Sequence, residues 1–243
     1  MDALEAATAS GDAINGLGTK FMLDMNTYVY GATLGFEGAD FYLSGRGGAL
    51  GDVCAGVVSA AFVFWNPDLV AAGWERTADV MPRRQAAQEF AGVCHRWAEE
   101  HMGDDVDTAR LAELAGRLGD AASPACAPLF AGWRSLEEPA PDRTEALALH
   151  RVNALRELRG ALHGAAILAT GVTPHAAVAR RTPYMLSVFG WEEPHPDKET
   201  VRAPWAEAQA ATERSVAPMF EALDPAERAE FVDLVNALQT SLA

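Results

Sequence analysis

The chain has 243 residues, 49% of them hydrophobic, enough to bury a full core, and a formal net charge of −15. A field of that sign repels phosphate backbones and anionic lipid, so nucleic-acid binding would need a concentrated basic patch, and no long one is present. Cys54, Cys94 and Cys126 are odd in number, far apart and without CxxC spacing, so neither a disulfide framework nor a metal site is read from them.

The opening stretch, MDALEAATAS, lacks a basic segment followed by an apolar one, so it does not read as a signal peptide. The longest apolar run, residues 53–65, is too short to span a bilayer and reads as a buried helix. The expectation is a cytoplasmic protein with no membrane partner. Alanine dominates and β-branched residues are modest, which favours helix, and no strand with period-two alternation is convincing. The predicted fold is therefore all-α: a bundle of about ten helices, in two helical parts, with helix-turn-helix or winged-helix-like elements.

In chain order, residues 2–13 read as a short helix, and residues 14–34 carry Leu17, Phe21, Met25 and Tyr28 at helical spacing. Residues 41–53, FYLSGRGGALGDV, read as a loop whose glycine-rich part, 44–51, surrounds Arg46, with Asp52 capping the helix after it. A phosphate cradle needs the GxxxxGK[ST] order, which GRGGALGD lacks, so the loop is read as a turn that lets Arg46 approach a partner or pocket. Asn66-Pro67 is a helix start, with Asn as cap and Pro where its missing donor costs nothing. Helices are expected at 68–80, 83–102 and 107–121, with a short one from Ser123-Pro124 to Trp133. EEPAPD, residues 137–142, is the one linker-like stretch and separates residues 1–136 from 142–243.

The second part opens on the central helix, 142–171, with Asp142 and Glu145 read as a capping box. Ala148, Val152, Leu155, Leu162, Ala166 and Ala169 form one apolar stripe, and Arg159 falls in its middle with Arg156 and His163 beside it. Two readings stand for such an arginine. It pairs with a carboxylate of a neighbouring helix, or it lines a pocket with His163 and Arg156, offering a fixed fork of donors to an anionic or carbonyl-bearing ligand. Further helices are expected at 175–189, at 198–223 with a kink or split at Pro204 or Pro218, and from Asp224-Pro225 to about Leu238.

LRELRGALH at 155–163, FYLSGRGGALGDV at 41–53, FWNPDLV at 64–70 and GWEEPHPD at 190–197 make the chain similar to a SalK-like actinobacterial helical family that carries a helix-turn-helix label. The resemblance covers most of the chain. It implies roles for Arg159, His163 and Arg46, and a transcription regulator as the function. Members often have a second histidine where this chain has Leu158, a departure that speaks against a paired-histidine metal site.

Checked residue by residue, residues 1–75 offer only Lys20 and Arg46 as basic side chains, too few for a recognition helix with phosphate contacts beside it. Arg83-Arg84 and Arg180-Arg181 are each diluted by carboxylates. The function expected first is a small-molecule-binding protein, or an enzyme of specialised metabolism, with Arg159 and His163 catalytic and Arg46, Arg156, Trp65 and Phe62 lining the pocket. The alternative is a dimeric DNA-binding regulator. No cofactor is identified.

Overall fold

A computed structural model describes residues 1–103 and 105–242, and within them the chain forms twelve α-helices and two short 3-10 turns, with no strand. In chain order the helices are α1 (Ala3–Leu23), α2 (Met25–Thr33), α3 (Asp40–Gly48), α4 (Ala55–Ala61), α5 (Pro67–Arg76), α6 (Arg83–His101), α7 (Thr108–Ala121), α8 (Pro128–Arg134), α9 (Thr144–Ala169), α10 (Pro174–Arg181), α11 (Arg202–Val216) and α12 (Pro225–Ser241). The all-α bundle is as expected.

Helix α9 is the axis. Over its first half it is buried on nearly every side, from Ala146 through Leu158, because α1, α6, α7, α8 and α11 all pack against it. Farther along it becomes one-sided: Gly164, Ala166 and Ile167 are buried, whereas Leu168 and Ala169 face solvent. The predicted stripe therefore holds only in part. Helix α1 lies on both α9 and α12, and one hydrophobic core runs from Ala3 to Leu238, drawing on both sides of residues 137–142.

Three starts are as predicted. Asn66 caps α5 with Pro67 at its first position, Asp107 caps α7, and Asp224 with Glu227 forms the capping box of α12. The helix expected at 198–223 is split, with the 3-10 turn Ala217–Ala222 following α11 at Pro218.

Other expectations are corrected. Asp2 and Glu5 form a capping box that makes residues 2–13 the start of one long helix, and it ends not at 34 but at Asp24, whose extended backbone and carboxylate cap α2. Met25, expected inside, is exposed. The glycine-rich stretch is not a loop: Asp40–Gly48 is helical, and its glycines face neighbouring helices. A Cβ on Gly45 would stand 2.6 Å from Phe90, and one on Gly48 would meet the Arg83 carbonyl at 2.1 Å. Residues 53–65 give only the short α4, which Cys54 precedes without a side-chain bond, so Asp52 does not cap it, and which is exposed at Val57. Helix α9 has no capping box; Arg143 precedes it without a side-chain bond. The helix expected at 175–189 stops at Arg181, before the turn Pro183–Met185.

Candidate functional site

The predicted arginines fall on one line of α9. Asn153, Arg156 and Arg159 recur every three residues and lie against α1, where two glycines make room for them. A Cβ on Gly11 would stand 2.9 Å from Arg159 Nε, and one on Gly18 would be 2.4 Å from Arg156 Cδ and 3.1 Å from Asn153 Oδ1. The two glycines are seven residues apart, two turns of α1, so both open on the same seam.

Most of the charge in this seam is matched internally. Glu157, 2% exposed, accepts from Arg46 Nε at 2.8 Å and from Nη2 at 2.7 Å, and the same Oε1 accepts from Arg156 Nη1 at 2.8 Å. Burial pushes the Glu157 carboxyl up, yet the two guanidinium groups outweigh it and hold it below the usual carboxylate range. Arg46 thus reaches the centre of the molecule from a helix, its guanidinium 4.5 Å from the Phe62 ring centroid and donating to Tyr42 Oη at 3.2 Å. Phe62 and Trp65 are both buried: Phe62 lies under Arg46, and Trp65 stacks on Tyr42 and packs on Phe189.

Arg159 donates from Nη2 to Glu213 Oε1 of α11 at 2.5 Å, the carboxylate-paired reading of this residue. Beside it the His163 ring lies between Phe64 and Trp205, and its Nδ1 is 2.9 Å from Thr212 Oγ1. Thr212 Oγ1 already donates to Ala208 O, so it accepts from His163, which places the ring proton on Nδ1. Burial, then the charges of Arg159 and Arg181, push the His163 pKa down to about 4, so the imidazole is neutral near pH 7.

What the pairs leave over is a set of buried polar atoms with no protein partner. Both carboxamide atoms of Asn153, Nε of Arg156 and of Arg159, and Oε2 of Glu213 all lie along the faces α9 shares with α1 and α11. Arg46, Arg156 and Glu157 form one group, and Arg159, His163, Glu213 and Thr212 the next, a turn along α9. Phe62 joins the first group through Arg46, and Trp65 is linked to it through Tyr42, which accepts from Arg46.

Sequence reasoning missed Glu157, Asn153 and Glu213. The signal was there for Glu157, an acidic residue between Arg156 and Arg159 on a helix too apolar to leave it in water; Glu213 lies 54 residues from its partner and is marked by nothing local. Also missed was a buried histidine pair, with His95 Nε2 3.0 Å from His150 Nδ1. Burial pushes both pKa values down, to about 3 for His95 and about 4 for His150, with the neighbouring imidazole adding to the effect at His95. Among the described residues no group of three or more His, Cys, Asp or Glu side chains is placed to hold a metal, and no helix is long and apolar enough to cross a membrane.

These features define an all-α protein built around one buried helix, with a guanidinium-rich polar seam inside it. The chain belongs to the helix-turn-helix family, whose family profile matches residues 12–202. No curated protein and no solved structure matches it.

Within the matched region α4 and α5 are joined by the short turn 62–66. The outer face of α5 presents Pro67, Asp68, Ala72, Glu75 and Arg76, and Arg76 is already committed to Asp40 at 2.6 Å. On α6, Arg84 donates to the Ser135 carbonyl and Arg96 lies 4.4 Å over the Tyr30 ring. The arginines of both helices are thus engaged within the protein, and α5 carries no Lys, Asn or Gln beside its own Arg76.

Proposed function

We propose that this member of the helix-turn-helix family is a small-molecule-binding protein whose ligand, anionic or carbonyl-bearing, engages the polar seam between α1, α9 and α11. The observation that carries the reading is Asn153: it has no exposed surface, neither of its carboxamide atoms has a protein partner, and Arg156 and Arg159 beside it each keep an unpartnered Nε. Buried polar groups without partners cost about 1–3 kcal/mol each, so a run of them calls for a polar molecule, ordered water or a bound ligand, to supply the missing bonds. His163 adds a neutral imidazole, able to take a proton at Nε2 while Arg159 stabilises developing negative charge nearby, which is the division of labour proton-transfer chemistry requires. The same residues belong to the SalK-like resemblance. A homodimer is part of the proposal.

The test is native mass spectrometry and absorbance of protein purified from its own host, wild type beside Arg159→Met/Glu213→Gln, which removes the charge pair without stranding either member. The expected result is excess mass on the wild type that the double variant loses. Wild-type protein at its bare sequence mass, with no thermal shift from a panel of carboxylates, ketones and phosphates, overturns the reading.

Family membership favours a second reading, a DNA-binding regulator that senses this ligand. A gel-shift titration over salt with DNA from the neighbourhood of its own gene decides it: a specific complex that weakens steeply with salt supports the regulator, and no shift removes it.

A further inference from the structure

Arg180 and Arg181 end α10, and the segment 191–201 folds back so that Lys198 and Glu199 stand across from them. With Trp205 of α11 they enclose an open hollow of about 380 Å³. Twelve of the nineteen Lys and Arg side chains form ion pairs with carboxylates among the described residues. Ten of those twelve have a partner at 2.8 Å or closer. The two exceptions are the arginines of this hollow, Arg180 at 3.8 Å from Glu199 and Arg181 at 3.4 Å from Asp12. Their partners are among the more exposed carboxylates of the set, Asp12 96% and Glu199 59% exposed, so each pair is weakened by solvent and readily exchanged. Lys198 has no carboxylate partner among the described residues. Arg180 is three-quarters buried, donates from Nη1 to the Lys198 carbonyl at 3.2 Å, and has an Nε with no protein partner.

In a chain of net charge −15 whose other paired arginines are tightly matched, two loosely paired arginines and an unpaired lysine converge on one concavity, three cations against the single carboxylate of Glu199 that lines it. We propose that this hollow is a binding site for a phosphomonoester, with Arg180, Arg181 and Lys198 holding the phosphate and Trp205 walling its organic body. A dianion needs more than one cation to neutralise it, and two guanidinium groups with an ammonium supply donors from several directions, as a tetrahedral anion requires. Trp205 is half-buried, with its ring edge-to-face on His163 at 5.2 Å, so its position is fixed beside the charges. The site uses other side chains than the seam and stands whether or not the seam binds a ligand.

The test is isothermal titration of the full chain with adenosine 5′-monophosphate, adenosine and inorganic phosphate, on wild type, Arg180→Gln, Lys198→Gln, Trp205→Leu and, as a control of equal charge change, Arg214→Gln. Arg214 is exposed and lies outside the hollow. The expected result is one site per chain for the monophosphate, weakened about tenfold or more by Arg180→Gln or Lys198→Gln and unchanged by Arg214→Gln. Adenosine should not bind, and Trp205→Leu should erase the preference for the monophosphate over inorganic phosphate. Equal weakening by Arg214→Gln means general charge attraction and overturns the proposal, as does the absence of any binding. Retention of a DNA duplex that is lost in the same variants, without monophosphate binding, overturns it in favour of a nucleic-acid contact.

Discussion

Replacing Glu157 with glutamine tests whether the centre of this molecule is held by charge. The carboxylate is all but fully buried, and its Oε1 accepts from both Arg46 and Arg156, so the two guanidinium groups converge on one oxygen. Glutamine keeps the shape and one acceptor but removes the anion, which leaves two cations facing each other out of water. Breaking a buried pair from one side costs about 3–5 kcal/mol. At this chain length each kcal/mol corresponds to about 2–4 °C in Tm, so the lower end of that range already means a drop of about 6–12 °C. Urea denaturation followed by circular dichroism measures it. Arg46→Met/Glu157→Gln should recover a large part of the loss, because a methionine can lie over Phe62 where the guanidinium did without demanding a counter-charge. A loss below about 1 kcal/mol in the single variant, or strict additivity of the two substitutions, would refute the reasoning.

Acid should act on the histidines first: His95, His150 and His163 have folded pKa values below the usual 6.5, so the stability they contribute is present above 6.5 and is lost as pH falls toward about 4. Glu157, also depressed, adds its loss only below the normal carboxylate value near 4.5, so thermal melts between pH 7 and 5 should already decline, and a flat profile over that range would contradict the burial of the imidazoles. Gly48→Ala should destabilise strongly although alanine is the better helix former, because its Cβ would lie 2.1 Å from a backbone carbonyl, whereas Gly18→Ala meets the movable Arg156 side chain and should cost less; equal Tm values for the two would contradict this ordering. Asp224→Ala removes the capping box of α12 and should cost about 1 kcal/mol in denaturant titration.

The elements that were legible in the sequence are those whose ends carry their own chemistry. Asp107 before α7, Asn66-Pro67 before α5 and Asp224 before α12 each bond the first free backbone donors, and that bond depends on nothing distant. Helix α3 was illegible because a glycine run has two physical meanings. Glycine permits unusual backbone angles, and it also permits another chain to come close; at Gly45, Gly47 and Gly48 the second meaning holds, with Phe90, Trp74 and the Arg83 carbonyl occupying the space. The arginine line of α9 was visible as cations where a helix should be apolar. Glu213, the partner of Arg159, was not, since it arrives from α11, far away in sequence, and only the packing of α11 against α9 brings it there.

The family name and the surface pull in different directions, and the charge distribution reconciles them. A helix-turn-helix protein that reads DNA spends its cations outward; this chain spends most of them inward or on neighbouring carboxylates, so that the charge left over at α5 is acidic and at α6 is tied to its own carbonyls and rings. Two loosely paired arginines, Arg180 and Arg181, and the unpaired Lys198 meet around a hollow of about 380 Å³ instead of along an extended face. Counterion release scales with the number of phosphates contacted, and three cations contact few. Salt therefore separates the two cases. A DNA complex resting on many contacts would lose three or more decades of affinity between 50 and 200 mM salt, roughly as expected for six to ten phosphates. Occupation of the hollow by a single phosphate should fall far less, about tenfold over the same range, because part of its affinity comes from directed hydrogen bonds to Arg180 that screening does not remove.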